Sequence, residues 1–247
     1  MLQPPHALGI NFGNFRNQYP SLMSIKRYVV VVAGGSGLRM GSDTPKQFLK
    51  LNGKPILMHT IERFASIVPM PDIVLVLPQS QMDRWNNLCE EHDFNIKQTL
   101  VAGGDTRFQS VKNGLTHIPS NNSLVAIHDG VRPFVSTQVI EQCYNTAAQK
   151  GSAIPVIKPV ESVRLVEGNT SKAFDRSSVL LVQTPQVFLS RLIKECYKVP
   201  EQPFFTDDAS VFEYQGFEIH TVEGNRENIK ITTPFDLLIA EMLIGKK

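Results

Sequence analysis

The apolar positions of the chain follow two alternating patterns. Tyr28–Ala33 is a continuous apolar, β-branched run stopped by glycines, which predicts a strand buried on both faces of a parallel sheet. Pro55–Ile67 instead spaces Ile56, Leu57, Ile61, Phe64 and Ala65 at helical intervals. The alternation continues with strands at Ile73–Leu77, Lys97–Val101, Leu124–Ile127 and Ala153–Ile157, and helices at Met82–His92, Phe108–Ile118 and Thr137–Lys150. Strands alternating with helices, without a repeat unit, predict an α/β chain built on a single doubly wound, mainly parallel sheet.

The regularity lapses after Ile157. Val163–Val166, Phe174–Arg176 and Val179–Gln183 read as short strands separated by Gly, Asn and Ser, which predicts an antiparallel β-arm within about residues 159–183. Helical spacing resumes at Leu189–Tyr197 and Asp207–Tyr214, and Glu218–Val222 and Asn228–Ile231 read as strands. Thr232 or Thr233 then caps a last helix, Phe235–Ile244, with Pro234 in its first turn. No linker divides the chain. Residues 1–25, largely Pro/Asn/Gly-rich and without acids, read as a disordered extension before one domain at 26–247.

Composition narrows the function. Hydrophobic residues make up 42% and charged residues 19%, so the chain is globular. With 25 basic against 23 acidic residues there is no whole-surface field, and neither nucleic acid nor membrane is expected as a partner. No apolar run approaches the ~18 residues of a membrane span. Cys89, Cys143 and Cys196 are odd in number and widely spaced, which suits reduced thiols in the cytoplasm.

The most informative segment is Ala33-Gly34-Gly35-Ser36-Gly37-Leu38-Arg39-Met40-Gly41, followed by Pro45-Lys46-Gln47. A glycine-rich turn after the first strand lets backbone N–H groups approach phosphate oxygens. Met40 stands where a dinucleotide fingerprint needs its third glycine, and no glycine precedes a lysine in the Walker A frame. What remains is a glycine loop with two cations, Arg39 and Lys46, which suits a triphosphate or a structural turn with exposed cations. His128-Asp129-Gly130-Val131-Arg132-Pro133 follows the fourth strand. Asp129 there could hold Mg²⁺ beside phosphates and Arg132 could face a phosphate; an Asp–Arg ion pair across the turn is the alternative. His128 points away from Asp129 and reads as structural. In Gly103-Gly104-Asp105-Thr106-Arg107, then Ser110, backbone and side chains could read a base edge, or Asp105 could cap the next helix. Arg176, Thr184, Thr206 and Lys230 are weak singly. No zinc spacing, nucleophile elbow or Cys–His pair supports covalent catalysis.

Together the stretches AGGSGLRMG with PKQF, GGDTRFQSV, HDGVRPF, TPQVF, TDDAS and VEGNRENIKITTPFDL resemble the 2-C-methyl-D-erythritol 4-phosphate cytidylyltransferase family of glycine-rich-loop nucleotidyltransferases, from about Lys26 to Ile244. The resemblance implies a Rossmann-like nucleotidyltransferase with a protruding arm, and CTP and a polyol phosphate as substrates in non-mevalonate isoprenoid synthesis. It implies that Arg39 and Lys46 surround the triphosphate and transition state, and that Lys230 lies near the phosphates. Ala33, Gly34 and Gly35 would contact the nucleotide, and Gly103, Gly104, Asp105 and Ser110 the cytosine. Asp129 would lie near Mg²⁺, or another divalent cation, and the ribose. Arg132 and Thr206 match substrate-site residues, as does Ser162, where a threonine is usual. Arg176 and Thr184 match residues that an arm delivers to the partner's site, which implies a homodimer with shared active sites. Gly130 and Val131 replace the family's usual alanines, a variant also similar to the ribitol-5-phosphate cytidylyltransferases. A non-catalytic nucleotide-binding protein on the same fold is the reading from another class.

Overall fold

The computed structural model describes residues 25–34, 44–119 and 122–245. The N-terminal extension lies outside them, apart from Ile25, and so do Gly35 and Arg39. Among the described residues the chain runs β1 (Lys26–Val32), β2 (Lys50–Leu51), β3 (Lys54–Pro55), α1 (Ile56–Ala65), β4 (Asp72–Leu77), α2 (Met82–Glu91), β5 (Thr99–Ala102), α3 (Arg107–Thr116) and β6 (Ser123–Asp129). It continues through α4 (Thr137–Lys150), β7 (Ser152–Ile157), β8 (Val163–Glu167), β9 (Thr170–Phe174), β10 (Leu181–Val182), β11 (Gln186–Leu189), α5 (Ser190–Cys196), α6 (Asp208–Tyr214), β12 (Thr221–Glu223) and α7 (Pro234–Ile244).

β1 lies at the centre, parallel to β4 on one side and β6 on the other, and β5 extends the parallel set beyond β4. β11 runs antiparallel between β6 and β7. β7 also pairs antiparallel with β10 and parallel with β12. The result is the expected mainly parallel sheet. Its middle is dry because the continuous apolar runs leave no wet face: Val29, Val30 and Val31 are fully buried, and β6 is buried along its length. The chain moves from β1 through β4 to β5, then reverses to lay down β6. Right-handed crossovers in opposite directions place helices on opposite faces. Accordingly α1 packs with α4, and α3 packs with α5.

The irregular stretch contains the expected antiparallel hairpin, β8 with β9, registered from Val163 opposite Phe174 to Glu167 opposite Thr170. It forms its own two-stranded sheet, and nearly all its residues are exposed. Three sequence expectations change here. The strand expected at Phe174–Arg176 ends at Phe174, because Asp175 caps a 3₁₀ turn over Arg176–Ser178 by accepting the Ser177 N–H. Gln186–Leu189, without a strand assignment from sequence, is a fully buried strand. Asn228–Ile231 joins no ladder among the described residues; it is an irregular segment tied to the body by Ile231 N–H donating to the Val131 carbonyl.

Candidate active site

The strand order creates the site. The chain passes from β1 to β4 on one side and later returns to β6 on the other, which makes β1 and β6 a topological switch point. The crevice lies at the carboxyl ends of these strands, where ligands sit in open α/β sheets. Its floor is narrow: Gly130 N–H donates to the Val32 carbonyl at 2.8 Å. A methyl group on Gly130 would stand 2.8 Å from Ala33 Cβ and 3.2 Å from the Val32 oxygen, so glycine lets the two strand ends meet.

Asp129 ends β6 in this crevice, 7% exposed. Its Oδ2 takes Arg132 Nε and Lys230 Nζ, each at 3.0 Å, while Arg107 Nε stands 3.8 Å from Oδ1. Burial alone would raise the Asp129 carboxyl pKa. Lys230, Arg107 and Arg132 outweigh burial and hold it well below the usual carboxylate range. The backbone beneath is equally fixed. Asp129 N–H donates to Thr184 Oγ1 at 3.1 Å, that hydroxyl donates to His128 Nδ1 at 3.0 Å, and His128 Nε2 donates to the Arg132 carbonyl at 3.1 Å. The partners assign the tautomer. Burial pushes His128 down to about 4, so the ring is neutral and structural near neutral pH.

Lys46 opens a 3₁₀ turn, Lys46–Phe48, held by Phe48, which is buried and stacked on Trp85. Lys46, Arg107 and Lys230 line the crevice together with Ala33, Gly34, Gly104, Asp105, Ser110 and Asp129. On the far wall, Gly104 N–H donates to Ser110 Oγ at 3.1 Å, which folds the Gly103–Gly104 turn onto the start of α3. A methyl group on Gly104 would stand 2.4 Å from Gln109 Cβ, so this turn also requires glycine. The cap of α3 is Thr106, which accepts the Gln109 N–H, and not Asp105, which stays exposed.

The structure thus brings Ala33, Gly34, Lys46, Gly104, Asp105, Ser110, Asp129 and Lys230 to one crevice, with Gly103 beside it. Arg132 sits under the site: its Nε holds Asp129 and its Nη1 donates to the Asn228 carbonyl. The ion pair across the turn therefore exists, in a larger cluster. Thr184 corrects an expectation. It is 5% exposed beneath Asp129 of its own chain, so it is not carried on the arm. Ser162, Arg176 and Thr206 are exposed and do not line the crevice; Arg176 donates to the Val160 carbonyl beside the hairpin. Arg107 was missed from sequence. Its signal is a cation in the first turn of a helix, where the helix dipole disfavours positive charge.

Asp129 is a hard oxygen donor whose Oδ1 takes no hydrogen bond among the described residues. One buried carboxylate in a crevice lined by cations is a donor set that Mg²⁺ can use, since Mg²⁺ usually takes one or two carboxylates plus phosphate oxygens. No cluster of three or more ligating side chains occurs among the described residues.

A glycine turn, three basic side chains and one buried carboxylate at a topological switch point define a nucleotide-transferring α/β enzyme. Comparison with known proteins is specific. The model of the 2-C-methyl-D-erythritol 4-phosphate cytidylyltransferase family matches residues 27–246. A Bacteroides thetaiotaomicron protein of that name is 53% identical over 220 residues, 89% of this chain and 100% of its own. One from Porphyromonas gingivalis is 49% identical over 223 residues, 90% of this chain and 99% of its own. The crystal structure of a 4-diphosphocytidyl-2C-methyl-D-erythritol synthase from Anaerococcus prevotii superposes with a TM-score of 0.79 at 26% identity, covering 92% of this chain and 100% of that one. The Thermus thermophilus cytidylyltransferase structure gives 0.73 at 28% identity, with 90% and 100% covered. The chain belongs to the 2-C-methyl-D-erythritol 4-phosphate cytidylyltransferase family.

Proposed function

We propose that this protein transfers the cytidylyl group of CTP to 2-C-methyl-D-erythritol 4-phosphate in isoprenoid precursor synthesis. The products are 4-diphosphocytidyl-2-C-methyl-D-erythritol and pyrophosphate. The observation that carries this is the crevice lined by Lys46, Arg107, Lys230 and Asp129, within a chain matching the family over nearly its whole length. A phosphate oxygen of the sugar alcohol attacks the α-phosphorus of CTP. The bond from that phosphorus to the bridging oxygen breaks, and pyrophosphate leaves. The nucleophile is already anionic near neutral pH, so positioning and charge neutralisation carry the catalysis, and no general base is needed.

In this reading Lys46 and Lys230 neutralise the triphosphate, with Arg39 assigned to the same task by resemblance. The loop from Gly103 to Ser110 receives the base, and Ala33 and Gly34 offer backbone to the nucleotide, as the resemblance assigns for Gly35. Asp129 would hold Mg²⁺, which would neutralise phosphate charge when bound. The protein acts as a homodimer. Val160, Leu165, Val166 and Phe174, in and beside the hairpin, are 39–80% exposed, which supports burial of that region against a second copy. Arg176, with Ser162 and Thr206, would then meet the sugar phosphate at shared sites. Isolated thiols at Cys89, Cys143 and Cys196 support action in the reducing cytoplasm. The test supplies CTP with either methylerythritol 4-phosphate or ribitol 5-phosphate and follows pyrophosphate. Release with the first alone is expected; release with the second alone, or with neither, would overturn the assignment.

A further inference from the structure

We propose that Asp208 is a positioning residue: by gripping Arg107 it keeps that guanidinium from closing on Asp129 and so leaves Asp129 Oδ1 open to a divalent cation. The inference rests on the reading of Asp129 as the cation ligand.

Arg107 stands at the first position of α3, where its charge opposes the helix dipole and needs an anion. Two anions are in reach. Asp208, fully buried, accepts Nη1 at 2.9 Å and Nη2 at 2.7 Å. Asp129 is the other, and Arg107 Nε stops 3.8 Å short of its Oδ1. An unrestrained guanidinium at that range would close to a charge-assisted hydrogen bond of about 2.7–2.9 Å. Asp208 cannot follow such a movement. Tyr197 donates its hydroxyl to Asp208 Oδ1 at 2.6 Å, and the Tyr197 ring stacks on Phe108, next to Arg107, at 4.6 Å. Asp208 also opens α6, whose N-terminus is locked by the Asp207–Ser210 capping box and by Gln186 accepting the Ala209 N–H.

The consequence is a division of labour between the two Asp129 oxygens. Oδ2 is saturated by Arg132 and Lys230, while Oδ1 faces a cation held just beyond bonding distance. Three cations around one carboxylate disfavour a bare divalent ion. A triphosphate reverses the local charge, so the ion should bind with the nucleotide and not before it.

The experiment measures Mn²⁺ binding by electron paramagnetic resonance with α,β-methylene CTP, whose carbon bridge prevents transfer. Asp208→Asn keeps the shape and loses the grip, so its Mn²⁺ Kd should rise about 10- to 100-fold, with a smaller change in metal-free nucleotide affinity. Adding Arg107→Gln to Asp208→Asn removes the released cation and should restore much of the Mn²⁺ affinity. An unchanged Mn²⁺ Kd in folded Asp208→Asn, or no recovery in the double variant, overturns the proposal. Should Asp208→Asn not fold, Arg107 variants decide. Arg107→Lys cannot be held by both nitrogens and should weaken Mn²⁺ binding, whereas Arg107→Gln should not; equal affinities overturn the proposal. Asp129→Asn separates the two readings. If it leaves Mn²⁺ affinity intact, the cation-ligand reading falls and this inference with it. If it weakens Mn²⁺ while Asp208→Asn does not, only this inference falls.

Discussion

At the residue scale the site is an exercise in charge placement. Lys46 lines the crevice on a turn pinned by Phe48 and Trp85, which fixes where its side chain leaves the backbone. Lys46→Ala should lower kcat about 10²- to 10³-fold, the usual loss for one transition-state donor, with the circular-dichroism spectrum unchanged. Arg39→Ala should do the same. Wild-type turnover in either folded variant would remove that residue from the mechanism. His128 makes a different prediction. Its folded pKa is lowered by burial to about 4 from 6.5. Between those values the unfolded chain takes up a proton that the folded chain refuses. Stability should therefore be level above pH 6.5 and fall as pH drops toward about 4, by on the order of 3 kcal/mol. Urea unfolding across that window checks it, and a folded His128→Asn protein should show a flatter slope.

At the element scale, short connections carry the functional groups and helix caps hold the connections. α7 begins with a capping box in which Thr233 accepts the Asp236 N–H and Asp236 accepts the Thr232 and Thr233 N–H groups. It packs over Val131 and Ile231, directly after Lys230. Thr233→Ala should cost about 1 kcal/mol, lowering Tm by about 2–4 °C. Scanning calorimetry would read it, and an unchanged Tm would mean that the Asp236 bonds suffice. The hairpin of β8 and β9 is the opposite case. Two exposed strands without a helix over them are marginal alone.

At the scale of the whole molecule, the proposed homodimer would cover the hairpin with a second copy. If Arg176 serves the neighbouring site, Arg176→Ala should raise KM for methylerythritol phosphate more than for CTP, because an arginine grips phosphate bidentately. Mixing Lys46→Ala chains with Arg176→Ala chains, assayed at methylerythritol phosphate well below the raised KM, should partly restore activity, since each mixed dimer holds one site with both residues intact. No recovery in verified mixed dimers would mean that each chain builds its site alone.

The amino-acid sequence by itself determined the alternation of strands and helices up to Ile157, the break that follows, and the glycine turn after β5. These are legible because hydrophobic period, turn residues and caps act over a few neighbours. Thr137–Lys150 shows this, with its boundaries in the structure matching its pattern. The tertiary structure decided what lies far apart in the chain. Gln186–Leu189 is too short to show a period, and pairing with β6 and β7 makes it a strand. Asn228–Ile231 looks like a strand, but among the described residues no neighbour completes a ladder. Thr184 was expected on the arm, yet it supports Asp129 from beneath through a bond across 55 positions. Arg107 and Asp208, 101 positions apart, meet only because the fold brings the starts of α3 and α6 to the same place. Local patterns name the elements; a buried charge finds its partner only when those elements pack and water is excluded.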